Sequence, residues 1–118
     1  MYRNKKVCVV VPAYNEELLI GRTIQVIPDF IDHIVVVDDG SKDRTPEIVK
    51  KIESENNRVY FVRHEKNLGV GAAISTGYLW CKENDIDIAV VMAGDNQMDP
   101  ANLPEILNPV VDNEADYT

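Results

Sequence analysis

The stretch VCVVVPAYNE at residues 7–16 decides the architecture of this chain. Five apolar residues in a row, four of them valine, leave no polar position for a solvated face. A strand built from them must be covered on both sides, the habit of parallel sheets buried between helices. Pro12 is expected to end that strand, Asn15 to cap the following helix, and Glu16 and Glu17 to occupy its positive first turn.

Working outward, the first strand is expected over residues 6–11, and comparable runs recur at 34–37, 59–62 and 86–92. Between them Ile20, Thr23, Ile24 and Ile27 fall at helical spacing, as do Val70, Ala73, Ile74, Gly77, Tyr78 and Cys81. A middle helix is signalled by Thr45 as cap, Pro46 at its first position and Ile48, Val49 and Ile52 on one face. The expected order is β-α-β-α-β-α-β-α, an α/β fold with a mainly parallel sheet and helices on both faces. The last helix is expected to begin near Asn102, with Pro109 kinking or ending it, and the final ADYT to open another strand.

Composition narrows the function. The 118 residues suit one modest domain, and at 45% hydrophobic content they support a real core. Twenty acidic against twelve basic residues give a net charge of −8, with no basic patch, which argues against nucleic acid and anionic membrane surfaces as partners. An anionic ligand would need backbone amides, a few placed cations or a divalent metal. Cys8 and Cys81 fall at apolar positions and read as reduced and buried. With no signal-like start and no apolar run near eighteen residues, the chain reads as cytosolic.

In open α/β sheets the ligand lies outside the carboxyl ends of the strands, so the residues just after each strand are the candidates. After the first come Pro12, Ala13 and Tyr14, the tyrosine offering a flat face to a nucleobase. After the second come Asp38, Asp39, Gly40 and Ser41. An Asx turn explains one of these carboxylates, leaving the other to accept hydrogen bonds from a ribose or a base N–H. After the third, residues 67–71 expose helix-start N–H groups that could face a phosphate, Gly71 among them; Gly69 and Gly71 equally serve the turn. The stretch lacks the third glycine of the dinucleotide fingerprint, where Ile74 stands instead. After the fourth come Asp95, Asn96, Gln97 and Asp99, oxygen donors suited to Mg²⁺ or Mn²⁺, with Asp99 read as a helix cap. His33 and His64 lack metal-ligand spacing and read as ordinary strand-end residues, and Arg63 and Lys66 as solvated charge.

The four motifs VVVPAYNE, VVVDDGSKDRT, NLGVGAAISTGY and VVMAGDNQMDP, in this order, resemble the inverting glycosyltransferases of family 2, which have the GT-A fold. The match runs over residues 7–104, and its wording is most similar to the branch of dolichol-phosphate mannose synthases and other polyprenyl-phosphate sugar transferases. The resemblance implies the nucleotide-binding half of a Rossmann-like GT-A domain over residues 1–118, with the acceptor-binding part missing. It places Pro12, Ala13, Tyr14, Glu16, Asp38, Asp39, Gly71 and Asp95 at the nucleotide, and Asp95 and Gln97 at Mg²⁺ or Mn²⁺. One position departs from the family: the first aspartate of Asp-x-Asp is Ala93 here.

The implied reaction moves a sugar, with inversion, from a UDP- or GDP-sugar to a polyprenyl phosphate or a glycan, with the catalytic base expected beyond Thr118. The fragment alone is expected to be inactive. Membrane contact is expected only through the missing C-terminal part or a lipid acceptor, at the inner face of the membrane, and the cut sheet edge is open to pairing with another copy. A non-catalytic nucleotide-binding or assembly module of the same fold is the alternative, and a nucleotidyltransferase the further one, although PAYNE is neither glycine-rich nor basic.

Overall fold

The computed structural model describes residues 5–92. Within it the elements run β1 Val7–Ala13, α1 Ile20–Gln25, β2 His33–Asp39, α2 Thr45–Glu55, β3 Val59–His64, α3 Val70–Glu83 and β4 Ile88–Val91. All strand pairs are parallel, in the order β3-β2-β1-β4. The chain thus steps from β1 to β2 to β3 in one direction and returns past β1 to β4 in the other. Keeping one hand of crossover then requires α3 to cover the opposite face from α1 and α2.

The buried side chains divide accordingly. Val7, Val9 and Val11 join Ile34, Val36, Val59, Ile88 and Val90 under α1 and α2, with Ile20, Ile24 and Val49 from the helices. Cys8 and Val10 join Val35, Val37 and Ala89 under α3, with Ala73 and Cys81. Every position of β1 is buried, as its unbroken apolar run demands. Gly77 lets α3 lie close to the sheet, because a Cβ there would overlap the Val10 side chain. Both cysteines are free and buried. A hydrogen bond with the neighbouring Cys81, together with burial, pushes the Cys8 thiol far up.

Several element ends differ from the sequence-based expectation: β3 runs two residues further, to His64, β4 is shorter at Ile88–Val91, and three other ends differ for reasons visible in the fold. β1 carries on through Pro12 and Ala13, in register with Val37 and Asp38 of β2. The carbonyls of Lys6 and Val10 accept from Ile88 and Met92, so by alternation the missing N–H of Pro12 also falls on that side and points away from β2, whose pairing with β1 it leaves intact. β2 likewise extends over both aspartates because Arg63 and His64 of β3 pair with them. α1 starts at Ile20 without a side-chain cap and with no acidic residue in its first turn, since residues 14–19 form a separate turn closed by the Glu16 carbonyl.

Candidate functional site

The strand order reverses between β1 and β4, and outside the carboxyl ends of strands at such a switch point is the usual ligand position in these sheets. The loop after β1 forms one wall, and side chains of the loop after β2 hold it in place. Asn15, with its backbone in the left-handed region at φ 53°, donates its N–H to Ser41 Oγ at 2.8 Å, and its Oδ1 accepts the Lys42 N–H at 2.9 Å. The N–H groups of Glu16 and Glu17 donate to Thr45 Oγ1 (2.8 Å) and Asp43 Oδ2 (3.2 Å). Asn15 therefore ties two loops together where it was expected to cap a helix.

Asp43, not Thr45, closes the start of α2. Its Oδ1 accepts both the backbone N–H and the hydroxyl of Thr45, at 2.9 and 2.6 Å. Burial pushes the Asp43 carboxyl up, but the bonds from Thr45, Glu17 and its own backbone outweigh that and hold it below the usual range.

Asp38 and Asp39 are consecutive strand residues and so point to opposite faces of the sheet. Asp39, 4% exposed, lies on the α3 side. Its Oδ1 accepts from Leu68 N–H and meets His64 Nδ1, both at 2.9 Å, and its Oδ2 accepts Gly69 N–H at 2.9 Å. Burial raises its pKa, while His64 and the two amides lower it further, leaving the carboxyl below its ordinary value. His64 Nε2 in turn lies 2.8 Å from Thr76 Oγ1 in α3.

Asp38, fully buried, lies on the other face. Its Oδ2 accepts Ser41 N–H at 3.1 Å and stands 3.3 Å from Arg63 Nε, whose guanidinium also donates to the Ser41 carbonyl. Its Oδ1 is buried and has no hydrogen-bond partner among the described residues. A buried acceptor left unpaired costs about 1–3 kcal/mol, so a donor supplied by a ligand would be bound favourably there.

Of the other sequence-derived candidates, Pro12 and Ala13 are buried at the end of β1 and Tyr14 follows them, 41% exposed. Glu16 is half-buried in the stitched loop. Gly71 lies in the first turn of α3, exposed and with open space around it. Gly40, at φ 73°, must be glycine, since a Cβ would come within 2.6 Å of Asn67 N and Lys66 C. The third loop thus presses directly on the turn after the aspartates. Asp95 and Gln97 lie outside the described residues, as do Ala93 and Asp99. Among the described residues no group of three or more His, Cys, Asp or Glu could hold a metal. A cleft of about 330 Å³ opens beside residues 15–19 and Asp43, but its lining includes neither Tyr14 nor Asp38.

Sequence reasoning passed over Thr76 and Asp43, named Ser41 only as part of the second loop, and read His64 as an ordinary strand-end residue. For Ser41 and Asp43 the signal was present in SKD following DDG, a run of side chains that bond to nearby backbone. Nothing in the sequence linked His64 to Thr76.

The profile of the family described as Glycosyl transferase family 2 matches residues 8–118. A UDP-N-acetylglucosamine–dolichyl-phosphate N-acetylglucosaminyltransferase of Methanococcus voltae is 35% identical, over 97% of this chain and 51% of its own length. The chain spans about half the length, or less, of the curated relatives it matches. A mannosyltransferase of Pyrobaculum calidifontis, solved with GDP-Man and Mn²⁺, superposes with a TM-score of 0.71 at 25% identity, over 86% of this chain and 31% of that one. Glucosyl-3-phosphoglycerate synthase of Mycobacterium tuberculosis, solved with Mn²⁺, UDP and phosphoglyceric acid, gives 0.64 at 29% identity, over 92% and 39%. The GT-A fold expected from the four motifs stands, with the chain covering part of each neighbour.

Proposed function

We propose that this chain, which belongs to glycosyl transferase family 2, forms the donor-binding part of a glycosyltransferase that takes its sugar from UDP- or GDP-sugar. The observation that carries this reading is the unpaired Oδ1 of Asp38, a buried carboxylate oxygen in a sheet whose strand order reverses beside it. Uracil and guanine both present an N–H on the base-pairing edge, the donor this oxygen lacks. Tyr14 offers its face to the base, and Pro12, Ala13 and Glu16 shape the wall behind it. Asp39 holds the turn that carries Asp38, and Gly71 leaves the start of α3 open toward the phosphates.

Asp95 and Gln97 are the residues we assign to Mg²⁺ or Mn²⁺, which would neutralise charge on the departing diphosphate. Both offer the hard oxygen donors such ions prefer, and the relatives solved with Mn²⁺ support the assignment. The reaction is a single displacement at the anomeric carbon: an acceptor oxygen forms its bond as the bond to the nucleoside diphosphate breaks, inverting the centre. For a hydroxyl acceptor we assign the base that takes its proton to residues beyond Thr118; a phosphate acceptor attacks as its anion and gives up no proton. A polyprenyl phosphate is the acceptor we favour, supported by the dolichyl-phosphate enzyme among the relatives, and it would bring the whole protein to a membrane although no described helix is long and apolar enough to cross one.

Calorimetric titration with UDP and GDP, with and without Mn²⁺, tests the reading. The folded protein should bind one of them more tightly with the metal. Asp95→Ala should remove the metal dependence, and Asp38→Asn, which turns an acceptor into a donor, should weaken nucleotide binding by about tenfold or more. Absence of binding under all conditions by folded protein would sink it.

A further inference from the structure

Asp39, His64 and Thr76 form one hydrogen-bonded chain crossing from β2 through β3 to α3. Asp39 only accepts, so His64 Nδ1 carries a hydrogen toward it, while Nε2 pairs with the Thr76 hydroxyl, which can either donate or accept. Three different donors converge on the Asp39 carboxylate, and two of them, the Leu68 and Gly69 amides, belong to the loop that packs on Gly40. His64 is the only one of the three that is a side chain, and it is itself fixed from α3. The chain lies on the face of the sheet opposite the Asp38 side chain, so what it controls is the backbone of the turn and not the contact itself.

We propose that His64 is a positioning residue for base recognition: through Asp39 it holds the β2 turn so that the unpaired oxygen of Asp38 meets the N–H of the donor's base. This rests on the nucleotide reading above. The oxygen is useful only where it stays clear of its own protein's donors, and the backbone pinned at Asp39, one residue on, keeps it there. Loss of the His64 bond leaves Asp39 with its two loop amides but removes the strut that braces its carboxylate against Thr76 of α3. A misplacement of well under a bond length is enough to blunt discrimination by a single hydrogen bond.

The test is titration of the intact protein with UDP, CDP, GDP and ADP in the presence of Mn²⁺, with circular dichroism reporting folding. The variants are His64→Phe, His64→Asn and Thr76→Val. Cytosine and adenine place an acceptor where uracil and guanine place the N–H, so the wild type should favour UDP over CDP, or GDP over ADP, by about tenfold or more. His64→Phe should reduce that preference to less than about threefold, and Thr76→Val should give a partial loss. His64→Asn, which keeps a donor toward Asp39, should retain most of it.

A purely structural histidine would lower the melting temperature and weaken all four nucleotides alike, leaving the ratio at its wild-type value, and that result overturns the proposal. Should His64→Phe fail to fold, Thr76→Val decides: a reduced ratio supports positioning and an unchanged one refutes it. A folded wild type that binds none of the four, or binds all equally, overturns the nucleotide reading itself and this inference with it.

Discussion

The two faces of the sheet meet at the end of β2 in adjacent carboxylates with opposite circumstances. On the α3 face, Asp39 is saturated by two loop amides and a histidine. On the face shared with α1 and α2, Asp38 keeps one oxygen unpaired although no part of it reaches solvent. Identical side chains one residue apart thus divide into a clamp and a buried, unpaired acceptor, and what divides them is the strand's alternation. A protein gains stability from the first arrangement and gives some up for the second, the pattern expected where a ligand completes the set.

The sharpest way to break the comparison is Asp39→Ala. It strands two loop amides and a histidine, so unfolding by urea should show a loss of about 3–4 kcal/mol. A loss below about 1 kcal/mol would mean that the clamp is not one. A weaker but cleaner signature comes from pH. The Asp39 pKa is depressed in the folded state, so its contribution is complete above the unfolded value of about 4 and disappears as pH falls through the lower folded value. Chemical denaturation between about pH 5 and pH 2 should show stability falling with acid, and Asp39→Asn should flatten that slope. Asp43, also depressed, will retain part of it.

The smallest expected change completes the contrast. Asp38→Asn keeps an oxygen for the Ser41 amide, and the Arg63 partner it weakens is 45% exposed. Its folding stability should move by about 1 kcal/mol or less even as nucleotide binding collapses. A large loss of stability in Asp38→Asn would erase the distinction between the two carboxylates.

Much of the fold was legible because burial on both faces forces strands without polar positions, and VCVVV and IVVV can satisfy nothing else. The helices were legible from apolar spacing, and the edge of the sheet that carries the site followed from the βα order. The ends of elements were less so. Pro12 argues for a strand end on local grounds, yet β1 continues because the missing N–H points away from β2, with which Pro12 and Ala13 stay in register. Asn15 has every local mark of a helix cap, but the side chain reaches the backbone of Lys42, twenty-seven residues on, a competition that no local rule can weigh.

The sequence by itself determined that this chain makes a parallel sheet between helices, and that Tyr14 and the paired aspartates fall at the carboxyl ends of its strands, because period and apolarity act over a few residues. Only the tertiary structure decided which aspartate serves the fold and which is left with an unpaired oxygen. That depends on which face α3 covers and on His64, Leu68 and Gly69 arriving from a strand and a loop at least twenty-five residues away.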